Sequence, residues 1–150
     1  FMTIDQVMKT QVITINKNST YKEAIKVLFD NNISGAPVVD ENSNIVGMFS
    51  EKDVFKVLYP FYKSFYEHPE LYIDADTREH KAQEIQNYKV ERLMTTNLVF
   101  VHPKEKVMTA GGLMLAKGIH RLPVIEDGKM IGIVTRRDIY HAILKRELGL

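Results

Sequence analysis

A pattern of some fifty residues occurs twice in this chain, and that repetition constrains the fold more than any other feature. Residues 7–59 align with residues 93–144 with a single one-residue gap near Asn42, and eight aligned pairs are identical. These are Met8/Met94, Thr10/Thr96, Ala24/Ala110, Ile33/Ile119, Pro37/Pro123, Val38/Val124, Gly47/Gly132 and Asp53/Asp138. Most of the remaining pairs exchange one aliphatic residue for another, so the hydrophobic pattern repeats along with the identities.

Both copies read in the same order. A β-branched run at 12–15 and again at 98–101 predicts a strand, followed in the first copy by a helix carrying Ala24, Val27, Leu28 and Phe29. Two further strands come next, at 36–39 and 45–49 around DENSN and at 122–125 and 130–134 around EDGK, whose Asp127-Gly128 is a hairpin signal. A second helix starts after Ser50 or Thr135. The result is a β-α-β-β-α unit of the α+β class, too short to cover its sheet well alone, so the expectation is two copies packed face to face. Thr20-x-x-Glu23 is a capping-box pattern at the first helix, whereas its counterpart Lys106-x-x-Thr109 has lost the cap. Gly111 and Gly112 fall inside the equivalent helix at about 1 kcal/mol each relative to Ala, which we read as close helix packing.

The chain divides by sequence into 1–59, a connector at 60–92, and 93–150. The connector is too long for an ordinary loop. It is rich in aromatics: Tyr59, Phe61, Tyr62, Phe65, Tyr66, Tyr72 and Tyr88 lie in or beside it. Phe55, Tyr59, Tyr62 and Tyr66 recur at helical spacing, with Pro60 near a helix start or kink, and Thr77 is placed to cap a further helix to about Asn87. Such a stripe is expected to cover a sheet edge or form a dimer interface.

Composition narrows the function classes. The chain has 150 residues, 45% of them hydrophobic and 26% charged, which is the balance of a globular protein. The absence of cysteine excludes a disulfide scaffold, a Cys-based zinc site and a thiol nucleophile, and fits a reducing, cytoplasmic setting. No apolar run is long enough for a transmembrane helix, the opening FMTIDQVMK lacks the stretch of a signal peptide, and Phe1 ahead of Met2 reads as a cloning remnant. A net charge of +1 argues against a nucleic-acid or membrane partner. That total is unevenly spread: residues 7–59 balance six basic against six acidic side chains, while residues 93–146 carry nine against four.

The most informative short element is the turn into each last helix, Gly47-Met48-Phe49-Ser50-Glu51-Lys52-Asp53 and Gly132-Ile133-Val134-Thr135-Arg136-Arg137-Asp138. A hydroxyl followed three residues later by an acid is a helix N-cap with a favourable first-turn charge. The same geometry serves recognition, since free N–H groups, a hydroxyl and nearby basic side chains cradle a phosphate. A carboxylate beside them suits a vicinal diol, as in dinucleotide folds.

Tandem copies in this order, each with hydrophobic-Pro-Val (Ala36-Pro37-Val38; Leu122-Pro123-Val124) and each ending in Gly-hydrophobic-x-Ser/Thr-x-x-Asp, resemble a pair of CBS (cystathionine β-synthase) domains, or Bateman module. The resemblance implies two repeats packed through their sheets about a pseudo-twofold axis, with two clefts that take adenosine nucleotides or related adenosyl ligands. In one cleft it implies Asp138 on the ribose, Thr135, Arg137 and Arg136 on the phosphate side with His120, Ile133 at the base, and Met8, Ile13, Ile33 and Ser34 completing the site, with Arg121 placed to serve the phosphate of either cleft. In the other it implies Asp53 on the ribose, Ser50 and Lys52 on the phosphate side, and Met48, Met94, Val99 and Ile119 at the base. His120, Arg121, Arg136 and Arg137 face Ser34, Gly35, Glu51 and Lys52 in the alignment, so the Asp138 cleft is expected to be the tighter anion site.

The function expected is a regulatory module that senses AMP, ADP or ATP, needs no cofactor, and biases a partner protein or a homodimer. A ligand-independent homodimerisation module and a sensor of S-adenosylmethionine or another adenosyl ligand are the alternatives. His68, His80, His102, His120 and His141 form no metal-binding signature, and neither Gly-x-Ser-x-Gly nor a P-loop occurs, so an enzyme is not expected. DNA binding is a weaker reading, because no helix gathers basic residues beyond Arg136 and Arg137.

Overall fold

Both expected hairpins form. In the computed structural model, which describes residues 1–59, 67 and 80–150, β1 (Ile15–Asn16), β2 (Gly35–Val39) and β3 (Ile45–Ser50) make a three-stranded sheet in that order, β1 parallel and β3 antiparallel to β2. The second hairpin pairs β4 (Arg121–Glu126) with β5 (Lys129–Thr135). Asp127 (φ 51°) and Gly128 (φ 77°) both take the left-handed conformation that a two-residue hairpin loop requires. Each hairpin shifts register after the valine that the two repeats share, at Val38/Val39 and Val124/Ile125. The α-helices among the described residues are α1 (Tyr21–Asn31), α2 (Glu51–Leu58), α3 (Lys81–Ile85), α4 (Val107–Lys117) and α5 (Arg136–Leu148).

The chain folds into two compact units, one continuous in sequence and one that joins two distant stretches. The first-repeat unit is residues 14–97, and the second-repeat unit is residues 98–150 together with residues 1–13. The repeats seen in sequence and the compact units are therefore different divisions of the chain: the leading segment of each repeat packs on the body of the other. Ile4 and Val90 are wholly buried, each in the core of the unit it joins. They occupy equivalent short 3-10 turns, Ile4–Gln6 and Val90–Arg92. The repeat thus begins earlier than residues 7 and 93.

The leading segments also finish the helices. An α-helix leaves its first N–H groups without internal acceptors. At α1, Tyr21 N–H donates to Tyr88 O (2.7 Å) and Lys22 N–H to Gln86 O (3.1 Å), while Thr20 accepts from Glu23 N–H as the capping box foresaw. At α4, where Lys106 gives no side-chain cap, Val107 N–H donates to Met2 O (3.0 Å).

The cores differ by compensation. In the first-repeat unit Phe49 and Tyr21 are buried edge to face at 5.9 Å, and Phe49 lies opposite the small Ala36. At the equivalent places the second-repeat unit has Val134 and Val107, and Val134 lies opposite the larger Leu122. Volume removed at one position is restored at its cross-strand neighbour, as close packing demands.

Several expectations are corrected. The strand expected at 12–15 is only Ile15–Asn16, and the one at 98–101 is a single bridge from Val101 to Val124. The reason is that residues just before these runs pair elsewhere, Lys9 with Ile133 and Thr95 with Met48, so the intervening chain is a crossing and not a ladder. Phe29, placed on the helix stripe with Ala24 and Leu28, is 79% exposed, since it follows Leu28 by one residue and so turns off the buried face. Of the two helical glycines, Gly111 faces Ile139 of α5 but Gly112 faces open space. In the connector, α3 is shorter than expected, and Ile85 and Val90 enter the first-repeat core. The Pro60, Phe61, Tyr62, Phe65, Tyr66, Tyr72 and Thr77 readings lie outside the described residues.

The identical pair Gly47/Gly132 has a plain cause. A Cβ on Gly47 would stand 2.6 Å from Met94 Sδ and 2.9 Å from Thr95 O, and one on Gly132 2.8 Å from both Lys9 O and Met8 Sδ. Backbone oxygens at that range cannot yield without breaking the adjacent bridges. Gly47→Ala and Gly132→Ala are therefore expected to destabilise the protein by about 1–3 kcal/mol, an overpacking cost, whereas Gly112→Ala should stabilise it by about 0.5–1 kcal/mol. Urea denaturation of the three variants checks the opposite signs.

The leading segment is also tied by charge. Lys104 Nζ donates to Asp5 Oδ2 at 2.7 Å, and this bond, followed by the one from the Thr3 hydroxyl, lowers the Asp5 carboxyl below its usual range. A carboxyl depressed by folding adds stability that is present above its unfolded value and lost as pH falls through the folded one. Asp5→Asn should flatten the loss of thermal stability below about pH 4, the unfolded aspartate range, and melting curves across pH 2–6 read this directly.

Candidate functional site

Each last helix opens on a carboxylate folded back over its own N-terminus. In the second-repeat unit Thr135 caps α5: Asp138 N–H donates to Thr135 Oγ1 (3.2 Å), and Thr135 N–H donates to Asp138 Oδ2 (2.9 Å). In the first-repeat unit Ser50 N–H donates to Asp53 Oδ2 at 2.9 Å. This is the capping-box arrangement, and it fixes both acids in the same orientation.

The second carboxylate oxygen separates the two sites. Asp53 Oδ1 accepts a 2.7 Å hydrogen bond from the Thr95 hydroxyl, and Asp53 is 4% exposed. Asp138 Oδ1 has Lys9 Nζ at 3.6 Å, with the two side chains 12% and 64% exposed respectively. Thr95 and Lys9 are aligned positions, each directly after the methionine that begins the repeat identities. Both were missed as site residues in the sequence, although their place between Met8/Met94 and Thr10/Thr96 was a usable signal. They reach the acids because their own backbones are bridged to the strand ahead of each turn. Lys9 and Ile133 exchange N–H···O bonds of 2.9 Å each, and Thr95 and Met48 exchange bonds of 2.8 Å each.

The helix N-terminus is less open than its sequence implies. Arg136 N–H donates to His120 O (3.0 Å), and Asp138 N–H is taken by Thr135. Among the first three N–H groups of α5 that leaves only Arg137 without a protein acceptor among the described residues. The same device closes α2, where Glu51 N–H donates to Ser34 O (2.8 Å).

The expected site residues fall as follows. Met8, Ile13, His120, Arg121, Ile133, Thr135, Arg136, Arg137 and Asp138 belong to the second-repeat unit, as do Val99 and Ile119. Ile33, Ser34, Met48, Ser50, Lys52, Asp53 and Met94 belong to the first-repeat unit. Met8, Val99 and Ile119 pack partly buried on the second-repeat core, Ile33 and Met94 on the first, and Ile13 is 40% exposed. His120 and Arg137 are exposed. Ile33 and Ser34 line an open cleft of about 380 Å³ with Leu28, Phe29, Asn32 and Glu51. Arg136 is engaged with the fold: its Nε donates to Ile119 O (2.9 Å) and its Nη2 to Met114 O (3.3 Å), at the end of α4. No cluster of His, Asp and Glu able to hold a metal occurs among the described residues, and no helix among them is long and apolar enough to cross a membrane.

A duplicated hairpin unit, each copy ending in a helix capped by its own carboxylate, defines a tandem-repeat architecture. The CBS domain model matches residues 4–60 and 90–145, so the chain belongs to the CBS domain family. The matches start at the same 3-10 turns that the structure adds to each repeat. The chain is 30% identical to protein MJ1426 of Methanocaldococcus jannaschii over 155 residues, covering 95% of this chain and 92% of that one. It is 32% identical to the inosine-5'-monophosphate dehydrogenase of the same organism, over 90% of this chain. It spans only 22% of that enzyme's length and 40% of the length of a further relative there, MJ1225. Among solved structures, the CBS domain pair of protein MJ0100 in complex with 5'-methylthioadenosine and S-adenosyl-L-methionine matches with a TM-score of 0.73 at 26% identity, covering 97% of this chain and 98% of that one.

Arg136→Ala is expected to cost about 1–2 kcal/mol of stability, the worth of charge-assisted bonds to two helix-end carbonyls. Urea melts measure it, and Arg137→Ala, on an exposed side chain, serves as the near-neutral comparison.

Proposed function

We propose that this chain is a regulatory module that binds an adenosyl ligand, with the ribose diol on Asp138 and the 5' substituent toward Arg137, His120 and Arg121. The observation that carries this reading is the state of Asp138. One of its oxygens is pinned by the helix cap, and the other faces an exposed lysine that a ligand can displace. A carboxylate held this way accepts both hydroxyls of a vicinal diol. The bound adenosyl compounds named for the MJ0100 structure support the ligand class.

The reading also favours one site over the other. Asp53 is buried and held by a 2.7 Å bond from the Thr95 hydroxyl, and its turn carries Glu51 and Lys52 where the Asp138 turn carries Arg136 and Arg137. Since the N-terminus of α5 offers one free N–H, anion recognition there rests on side chains. Arg137 takes that part in the proposal, while Arg136 stays on the carbonyls of Ile119 and Met114.

Regulation follows when the ligand prefers one of two states of the module or of what it is joined to. The receiver is another domain, another protein or a second copy of the chain. Phe55 and Tyr59 on or beside α2, and Tyr140 and Leu144 on α5, are each more than two-fifths exposed and supply apolar area for such a contact.

Titration calorimetry with AMP, ATP, 5'-methylthioadenosine and S-adenosylmethionine tests the proposal, with light scattering on the same samples to follow assembly. Asp138→Asn is expected to weaken the binding ligand at least tenfold, and Asp53→Asn less than threefold. Equal losses overturn the assignment to Asp138. A folded wild-type protein that binds no member of the panel returns the module to ligand-independent dimerisation.

A further inference from the structure

Resting on that reading of the Asp138 site, we infer that Lys9 sets its charge preference and makes it selective for adenosyl ligands whose 5' substituent is anionic. The two repeats supply an internal comparison. At aligned positions, one acid is held by a threonine hydroxyl at 2.7 Å and the other is approached by a lysine ammonium at 3.6 Å. The first is a short bond from an uncharged donor to a carboxylate that is 4% exposed. The second is longer than a direct charge-assisted bond, about 2.7–2.9 Å, and its lysine is 64% exposed. An ion pair this long, with its lysine in solvent, contributes little to stability, so a diol displaces the ammonium at small cost.

Displacement leaves the ammonium close to the bound ligand. The Lys9 backbone is clamped to Ile133 by two 2.9 Å hydrogen bonds, so the residue cannot retreat, and only its flexible stem can swing. Its charge is then unpaired beside the ligand, on the same unit as Arg137. A phosphate on the ribose 5' carbon meets two cations. A neutral thioether gains nothing from them, and a sulfonium is repelled. Before binding, Lys9 performs the complementary task of neutralising Asp138, which keeps the empty site from attracting cations.

The charge of Lys9 and its side chain's reach are the variables to change. Lys9→Thr copies the other repeat, and Lys9→Arg keeps the charge. On the full chain, wild-type protein is expected to bind AMP at least tenfold tighter than 5'-methylthioadenosine. Lys9→Thr should weaken AMP five- to tenfold, leave 5'-methylthioadenosine within twofold, and improve S-adenosylmethionine. Lys9→Arg should keep the wild-type order. Because the lysine is exposed, thermal melts of both variants should stay close to wild type. If Lys9→Thr weakens AMP and 5'-methylthioadenosine by the same factor, or leaves AMP unchanged, the inference about Lys9 is overturned while adenosyl binding stands. If the wild type binds none of these compounds, both readings fail together.

Discussion

The backbone exchange between each leading segment and the strand before the acid turn is the contact on which both units depend. Lys9 with Ile133, and Thr95 with Met48, each trade two N–H···O bonds across a gap that only glycine at 132 or 47 leaves open. With those bonds in place, Ile4 and Val90 enter the cores, Met2 and Tyr88 present carbonyls to the helix starts, and the residue after each methionine arrives at a carboxylate. Packing, helix termination and the chemistry of the site thus share one cause. A side chain at either glycine strikes all three.

The same exchange gives the two acid turns different characters from nearly the same backbone. The same N–H···Oδ2 bond from the capping residue holds Asp53 and Asp138, and the partner of the other carboxylate oxygen differs, threonine against lysine. A hydroxyl inside the fold makes a bond that is part of the structure. An ammonium at the surface makes one that is worth little and is easily exchanged for another partner. The proposal places its ligand on the acid whose second oxygen is held this loosely.

Much of the fold was legible. Apolar runs on either side of polar turns marked both hairpins, Asp127-Gly128 marked one turn, Thr20-x-x-Glu23 marked one cap, and the duplicated order of elements carried the family. The acid turns were legible because an N-cap motif is local, with every partner within three residues. What failed were readings that needed distant partners. The runs at 12–15 and 98–101 have strand composition, but their neighbours were already paired to another part of the chain. Phe29 is as hydrophobic as its neighbours, and only the direction of the helix face exposes it. Arg136 and Arg137 are indistinguishable as letters, yet one bonds the end of α4 and the other is exposed, because Arg136 alone finds the carbonyls of Met114 and Ile119 in reach.

The sequence by itself determined the repeat, the hairpins, the capped helices and the pair of acids, since these rest on hydrophobic period and on hydrogen bonds between near neighbours. The tertiary structure decided which leading segment completes which body, and hence that Lys9 meets Asp138 and Thr95 meets Asp53. That pairing joins residues far apart in the chain through backbone bonds, which depend on approach and not on side-chain identity. Only the glycines that permit the approach leave a mark in the sequence.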